Sequence, residues 1–350
     1  MKKILTYFLT ALLPVVPLTA QTVRGNDERG SAFDDESAPV WINHRDEKLR
    51  EEKRLLTERI LEGIREEQRR LLEAADTLAA EAVAEAPLPE HVIDSLTRDI
   101  DDVLYLSGLV RLNPEDEDIQ RGARWFVEEH RKAATNILTK WKGREKVFRQ
   151  IFRKYGVPEE LSALCIIESA MNETAVSMAG ATGAWQIMPQ TARDYGLRVD
   201  GLVDERLDAV LACGTAARHL RDLRKTLGSW ELAVAAYNCG AGNVKKAMKR
   251  AGSDRFEQIR EYLPAETRGY LPMLAGALLL TQKAEKYGIN PGRNTGRQYR
   301  TFVVKQNTTW REASEVFHVD TKTLRKYNPQ YISAYIPGSA EKPCILRIPQ

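Results

Sequence analysis

Apolar residues recur at helical spacing along most of this chain, and the pattern changes only after Tyr299. Leu49, Leu56, Ile60, Ile64, Leu71, Leu78 and Ala82 fall at steps of four and seven, the spacing of one helix face. A long amphipathic helix is therefore predicted over residues 44–86, ended by Pro87 and Pro89. Its mixed-sign polar face reads as a solvated surface, with a coiled-coil partner as the alternative, although Gly63 interrupts the seam. Further helices are predicted over 93–112, 118–140 and 144–154, the first closed by Asn113-Pro114 and the last stopped by Gly156. Residues 207–227 and 230–237 follow, the latter capped by Ser229, and then shorter helices over 243–250 and 254–262. A last helix from Pro264 should kink at Pro272 and close at Gly288. Beyond it, residues 301–305 and 344–348 read as strands flanking two short helices, 309–317 and 321–327. The expectation is a mainly α protein with a small βααβ end.

The most informative stretch is 161–191, LSALCIIESAMNETAVSMAGATGAWQIMPQT, in which an apolar segment carries a single glutamate near its end. Pro158 suits the first turn of a helix, and Glu159 and Glu160 suit its positive end. Helical steps from Leu161 pass through Leu164 and Cys165 to Glu168, which places that carboxylate on the stripe its neighbours bury. Burial disfavours the ionised form and raises a carboxyl pKa, which suits a group that must hold a proton near neutral pH and donate it. Glu168 is thus a candidate general acid, beside the plainer reading of a helix-end glutamate whose head reaches water. Gly180 and Gly183 then predict a loop or short hairpin between Ser177 and Trp185.

Composition narrows the class. With 350 residues, 43% apolar and 29% charged, the chain is long enough for two or three domains and reads as globular. A net charge of +3, with no basic run interleaved with aromatics, argues against nucleic acid as a partner. Lys2 and Lys3 precede an apolar run over 4–18 that ends Leu18-Thr19-Ala20, the layout of a secretory signal over residues 1–20. Pro14 and Pro17 and its shortness argue against a membrane span, and no lipobox cysteine follows it. Residues 21–43 are polar and aperiodic, a linker. An exported protein of the periplasm or cell envelope is expected. The cysteines at 165, 213, 239 and 344 form no CxxC, and no HExxH occurs, so neither metal nor cofactor is expected. A disulfide among the first three stands open beside packing as buried thiols.

Four short motifs follow in order: Glu168-Ser169; Gly180-Ala-Thr-Gly183-Ala-Trp185-Gln186-Ile187-Met188-Pro189; Ala236-Tyr237-Asn238-Cys-Gly240-Ala-Gly242-Asn243; and Leu263-Pro264-Ala-Glu266-Thr267-Arg268-Gly-Tyr270. Their order and spacing resemble the lytic transglycosylase and goose-type lysozyme superfamily, most of all its membrane-bound lytic murein transglycosylase D type. Residues 142–290 would then be a lysozyme-like transglycosylase domain, preceded by a helical region over 44–141. Residues 299–350 resemble a LysM module through Asn328-Pro329 and Leu346-Arg347-Ile348-Pro349. Gln306-Asn307-Thr308-Thr309 stands where such modules carry Gly-Asp-Thr-Leu, so the fold is expected more than glycan binding, and a small structural cap is the alternative.

The resemblance implies peptidoglycan strands as the partner and one catalytic glutamate, Glu168. That residue would act as acid and then base to cleave the bond between N-acetylmuramic acid and N-acetylglucosamine, closing a 1,6-anhydro ring. It implies that Tyr237 hydrogen-bonds Glu168 and that Asn238 shapes the same corner. Ser177, Gln186 and Met188 would line the sugar subsite, and Glu266 would contact the glycan or support the cleft floor. As residues alone, Tyr237 and Met188 also read as core, Asn238 as a helix terminus and Glu266 as a helix start. Trp185 reads as a sugar platform or as core. Glu173 and Met273 depart from the pattern, at places where proline and lysine are usual. A water-using muramidase on the same fold and a non-catalytic wall-binding scaffold are the alternatives, and oligomeric state and membrane or cell-wall association stay open.

Overall fold

Around one uninterrupted apolar helix the rest of the helical region is wrapped. A computed structural model describes residues 90–294, 296 and 298–350. The expected signal segment, linker and amphipathic helix over 44–86 lie outside the described residues. Helices α1 (Glu90–Leu106), α2 (Glu117–Arg124), α3 (Arg131–Lys142) and α4 (Glu145–Lys154) lead to α5 (Leu164–Ser169), which carries Glu168. There follow α6 (Pro189–Asp194), α7 (Ala209–Leu227), α8 (Trp230–Cys239), α9 (Ala241–Ala251), α10 (Phe256–Ile259), α11 (Ala265–Arg268) and α12 (Tyr270–Lys283). Every residue of α12 from Tyr270 to Thr281 is buried, the mark of a helix enclosed on all sides. Helices α1, α2, α5 and α8 pack on it. At the α2 crossing the backbones touch: a Cβ on Gly276 would lie 2.1 Å from the Gly122 carbonyl oxygen. Only glycine permits that approach.

Two helix predictions change. The helix expected over 118–140 passes through a π-turn, Trp125–Glu129, and restarts at α3. Trp125, Phe126 and Val127 are all buried, and three consecutive side chains cannot share one α-helical face, whereas the wider turn admits them. Trp125 then stacks on His130, with ring centroids 4.3 Å apart. Nor does Pro272 kink the last helix. The chain breaks at Gly269, between α11 and α12, and Pro272 falls in the first turn of α12, where its missing N–H costs no hydrogen bond.

The C-terminal unit begins with β1 (Tyr299–Val304), which pairs antiparallel with β4 (Cys344–Pro349). A second ladder, β2 (Asn307–Thr309) with β3 (Tyr335–Pro337), was not predicted; three residues give too short a period to read. Between them lie α13 (Trp310–Phe317), opened by a Thr309–Glu312 capping box, and α14 (Thr321–Tyr327). The unit's core of Trp310, Leu324, Ile336, Leu346 and Ile348 also takes in Val203 from the helical region. Backbone bonds join the two, from Asp204 N–H to the Gln330 carbonyl (2.8 Å) and from Ile332 N–H to that of Leu202 (3.1 Å). All four cysteines are free thiols, so the disulfide left open by the sequence does not form.

Candidate active site

The acid sits at a helix end whose geometry is unusual. Pro158 leads into a 3-10 turn, Glu159–Ala163, that continues as α5. Arg149 bridges Glu159 and Glu160 at 3.4 and 3.3 Å and so ties this entry to α4. After Ser169 the chain turns through two left-handed non-glycine residues, Ala170 (φ 51°) and Met171 (φ 61°), each costing about 1–2 kcal/mol. Ser169 holds the reversal in place. Its hydroxyl donates to the Ala184 carbonyl (3.0 Å) and accepts from Asn172 N–H (3.1 Å). This serine therefore bonds backbone on both sides of the site.

Glu168 keeps part of its surface accessible, yet its carboxyl is closely surrounded by protein. Burial pushes its pKa from 4.5 up to about 8, against the pull of a hydrogen bond from Tyr270, and the Glu266 charge adds to the rise. The Tyr270 hydroxyl donates to Glu168 Oε1. This corrects the expectation for Tyr237, whose hydroxyl instead donates to the Trp185 carbonyl at 2.8 Å. A phenol has one proton to give, and from α8 Tyr237 meets the carbonyl of the 183–187 turn. Burial raises the Tyr237 pKa, and the nearby Glu168 charge adds to the rise. The tyrosine that sequence reasoning missed closed the fourth motif, and it opens the buried helix α12.

The loop over 175–188 forms a small hairpin, bridging Val176 to Thr182 and Thr182 to Ile187. Ser177 shapes it: its hydroxyl accepts from Ala181 N–H at 3.0 Å. Gln186 adopts a left-handed backbone (φ 45°) and donates to the carbonyls of Gly183 (2.9 Å) and Ala175 (3.3 Å). Buried Arg206, absent from the sequence reading, clamps the loop by donating to the carbonyls of Gly180 (2.8 Å) and Ile187 (3.0 Å). Asp204 pairs with that guanidinium at 2.7 Å. The loop packs so closely here that a Cβ on Gly183 (φ +82°) would stand 2.0 Å from the Arg206 carbonyl oxygen. Trp185 is core rather than a platform: fully buried, it stacks on Phe152 and donates to the Ala209 carbonyl at 2.9 Å.

Gln186, Met188 and Tyr237 meet at one small pocket, which Thr215 and His219 also line. Met188 is exposed there, not core. Asn238 accepts from the Thr267 hydroxyl at 2.7 Å, which ties α8 to α11. Glu266 is exposed on α11 and touches the site through its field alone. Glu173 forms an ion pair with Arg144 at 2.7 Å, which gives the departure from proline a local purpose. Met273 is buried in α12, where a lysine head would not fit without a partner. No cluster of three or more His, Cys, Asp or Glu side chains suited to a metal ion occurs among the described residues.

Residues 146–259 match the family model described as the transglycosylase SLT domain. Membrane-bound lytic murein transglycosylase D of Escherichia coli (strain K12) is 32% identical over 182 residues, covering 50% of this chain and 40% of that protein. A putative tributyltin chloride resistance protein of Alteromonas sp. (strain M-1) is 33% identical over 115 residues, 33% of this chain and 56% of that protein. Among solved structures, lytic transglycosylase Slt of Pseudomonas aeruginosa aligns at 19% identity and a TM-score of 0.37, over 59% of this chain and 38% of that one. The chain thus spans less than two thirds of the length of each. Glu168, Ser177, Gln186 and Tyr237 all lie inside residues 146–259, the segment that matches the transglycosylase SLT domain model.

Proposed function

We propose that this protein is a lytic transglycosylase that cleaves peptidoglycan between N-acetylmuramic acid and N-acetylglucosamine. The observation that carries the reading is the enclosed Glu168 carboxyl, held protonated near neutral pH by burial. Tyr270 donates to Oε1, which leaves Oε2 to carry the acidic proton. Glu168 passes that proton to the glycosidic oxygen as the bond to the muramic C1 breaks. The substrate's own N-acetyl group stabilises the positive charge at C1, as in substrate-assisted glycosidases. The Glu168 carboxylate then takes the proton of the muramic 6-hydroxyl, whose oxygen bonds C1 and closes the 1,6-anhydro ring. The acid is protonated again and no water is consumed.

Ser177, Gln186 and Met188 line the proposed subsite for the N-acetylated sugars, on and beside the 175–188 loop, with Asn238 fixing the α8–α11 corner. Glu266 acts by its charge and by contact with the glycan. The remaining assignments follow the sequence: export through residues 1–20, a helical region over 44–141, the catalytic domain over 142–290 and a LysM-like unit over 299–350. Among the described residues no helix is long and apolar enough to cross a membrane. The assignment is tested by incubating purified sacculi with wild type and Glu168→Gln. Soluble muropeptides are expected from the wild type alone, and release by the variant rejects Glu168 as the acid.

A further inference from the structure

Residues 203–209 run between the C-terminal unit and the loop over 175–188, and they touch both in turn. Val203 is 1% exposed and packs in the C-terminal core with Trp310, Leu324 and Ile336. Its backbone bridges Tyr331, and Asp204 N–H donates to the Gln330 carbonyl at 2.8 Å. Asp208 pairs with Arg347 of β4. Arg206 and Ala209 reach the loop instead: Arg206 donates to the carbonyls of Gly180 and Ile187, and the Ala209 carbonyl accepts from the Trp185 indole. One short segment is thus anchored on one unit and grips the loop of the other.

The grip passes through the Arg206 side chain. Its Nε and Nη2 donate to the two Asp204 carboxylate oxygens at 2.9 and 2.7 Å, and its Nη1 donates to the loop carbonyls at 2.8 and 3.0 Å. A guanidinium is planar, so holding one edge on a bidentate carboxylate fixes the direction of the remaining nitrogen. The two loop acceptors bracket Gln186, whose left-handed backbone (φ 45°) persists only where its surroundings over-determine it. A buried ion pair often adds little net stability over an apolar replacement. What this one supplies is direction.

We infer that Asp204 and Arg206 are positioning residues for the sugar subsite, and that the C-terminal unit holds them in place. Fixed between Val203 and the Gln330 carbonyl, Asp204 aims Arg206 at the loop that carries Ser177 and Gln186 and leads to Met188. The identity of that subsite rests on the proposed function. The C-terminal unit then shapes substrate binding without touching the glycan, whether or not it binds sugar on its own account.

The test uses the full-length protein and two variants outside the loop. Val203→Ala thins the contact with the C-terminal core, and Asp204→Asn keeps an acceptor for Arg206 but removes the charge that orients it. Hydrogen exchange read by mass spectrometry should quicken about fivefold in peptides covering 175–188, the equivalent of one net hydrogen bond. Ile100→Val, which thins the buried contact of α1 instead, should leave the loop at wild-type rates. On soluble glycan strands Val203→Ala and Asp204→Asn should each raise KM about fivefold with kcat within about twofold of wild type, the pattern of lost substrate binding. Loop exchange no faster than in wild type, or equally fast in Ile100→Val, overturns the inference, and so does an unchanged KM in an active enzyme. The exchange measurement needs no turnover. If wild type releases no product the transglycosylase reading fails, while quickened loop exchange confined to Val203→Ala and Asp204→Asn still sustains the positioning role.

Discussion

Replacing Glu168 by glutamine should stabilise the fold, by an amount that grows with pH. In the unfolded chain this carboxyl ionises near 4.5, and in the folded chain only near 8. Below the lower value both states hold the proton and the site costs nothing. Between the two values the unfolded chain releases a proton that the folded chain keeps, so stability falls as pH rises; above the upper value the penalty is constant. At 1.36 kcal/mol per tenfold change in proton affinity, the penalty is roughly 3 kcal/mol at pH 7 and roughly 5 kcal/mol above pH 8. Glutamine matches the protonated acid in shape, retains an acceptor for Tyr270 and cannot ionise. Urea unfolding of both proteins, followed by circular dichroism, should give equal stabilities near pH 4 and a variant more stable by about 3 kcal/mol at pH 7. Parallel stability curves across this range, or a variant less stable at pH 8, would refute burial of the carboxyl.

Tyr270→Phe removes the bond that holds the Glu168 pKa down, so the alkaline limb of the pH–rate profile should move to higher pH, with kcat reduced about tenfold or more. Tyr237→Phe, which loses only the Trp185 contact, should cost about 1 kcal/mol in urea unfolding and leave that limb in place. Gly183→Ala drives a Cβ into the Arg206 carbonyl at a left-handed backbone position and should cost about 3 kcal/mol or more, read as a lowered urea midpoint. Arg347→Ala strands the buried Asp208 carboxylate and should destabilise by about 3 kcal/mol in the same assay.

What was legible in the sequence was local. Ser229, predicted to cap α8, does so by accepting from Leu232 N–H at 3.2 Å, and the lone glutamate in an apolar stripe lies where helical spacing put it. Choosing between two motif tyrosines was another matter. Tyr237 and Tyr270 both end up near Glu168, and which one donates depends on how α8 and α12 pack around α5. Arg206 was invisible for a similar reason: its acceptors, the carbonyls of Gly180 and Ile187, lie 26 and 19 positions away. Backbone acceptors leave no mark on side-chain patterns. Trp185 shows the reverse case, an aromatic in a functional motif whose work is packing, between Phe148, Phe152 and the Ala209 carbonyl. The π-turn at Trp125–Glu129 arose from three adjacent apolar residues, which helical periodicity alone reads as continuous.

The account stands most directly on the chemistry at the new glycan ends. Sacculi digested by the wild-type protein and analysed by mass spectrometry should yield muropeptides whose muramic ends lack the mass of one water, the 1,6-anhydro form, and the Glu168→Gln protein should yield none. Hydrated reducing ends would show that water attacks C1 and would make the enzyme a muramidase; undiminished release by the variant would contradict the single-acid mechanism itself.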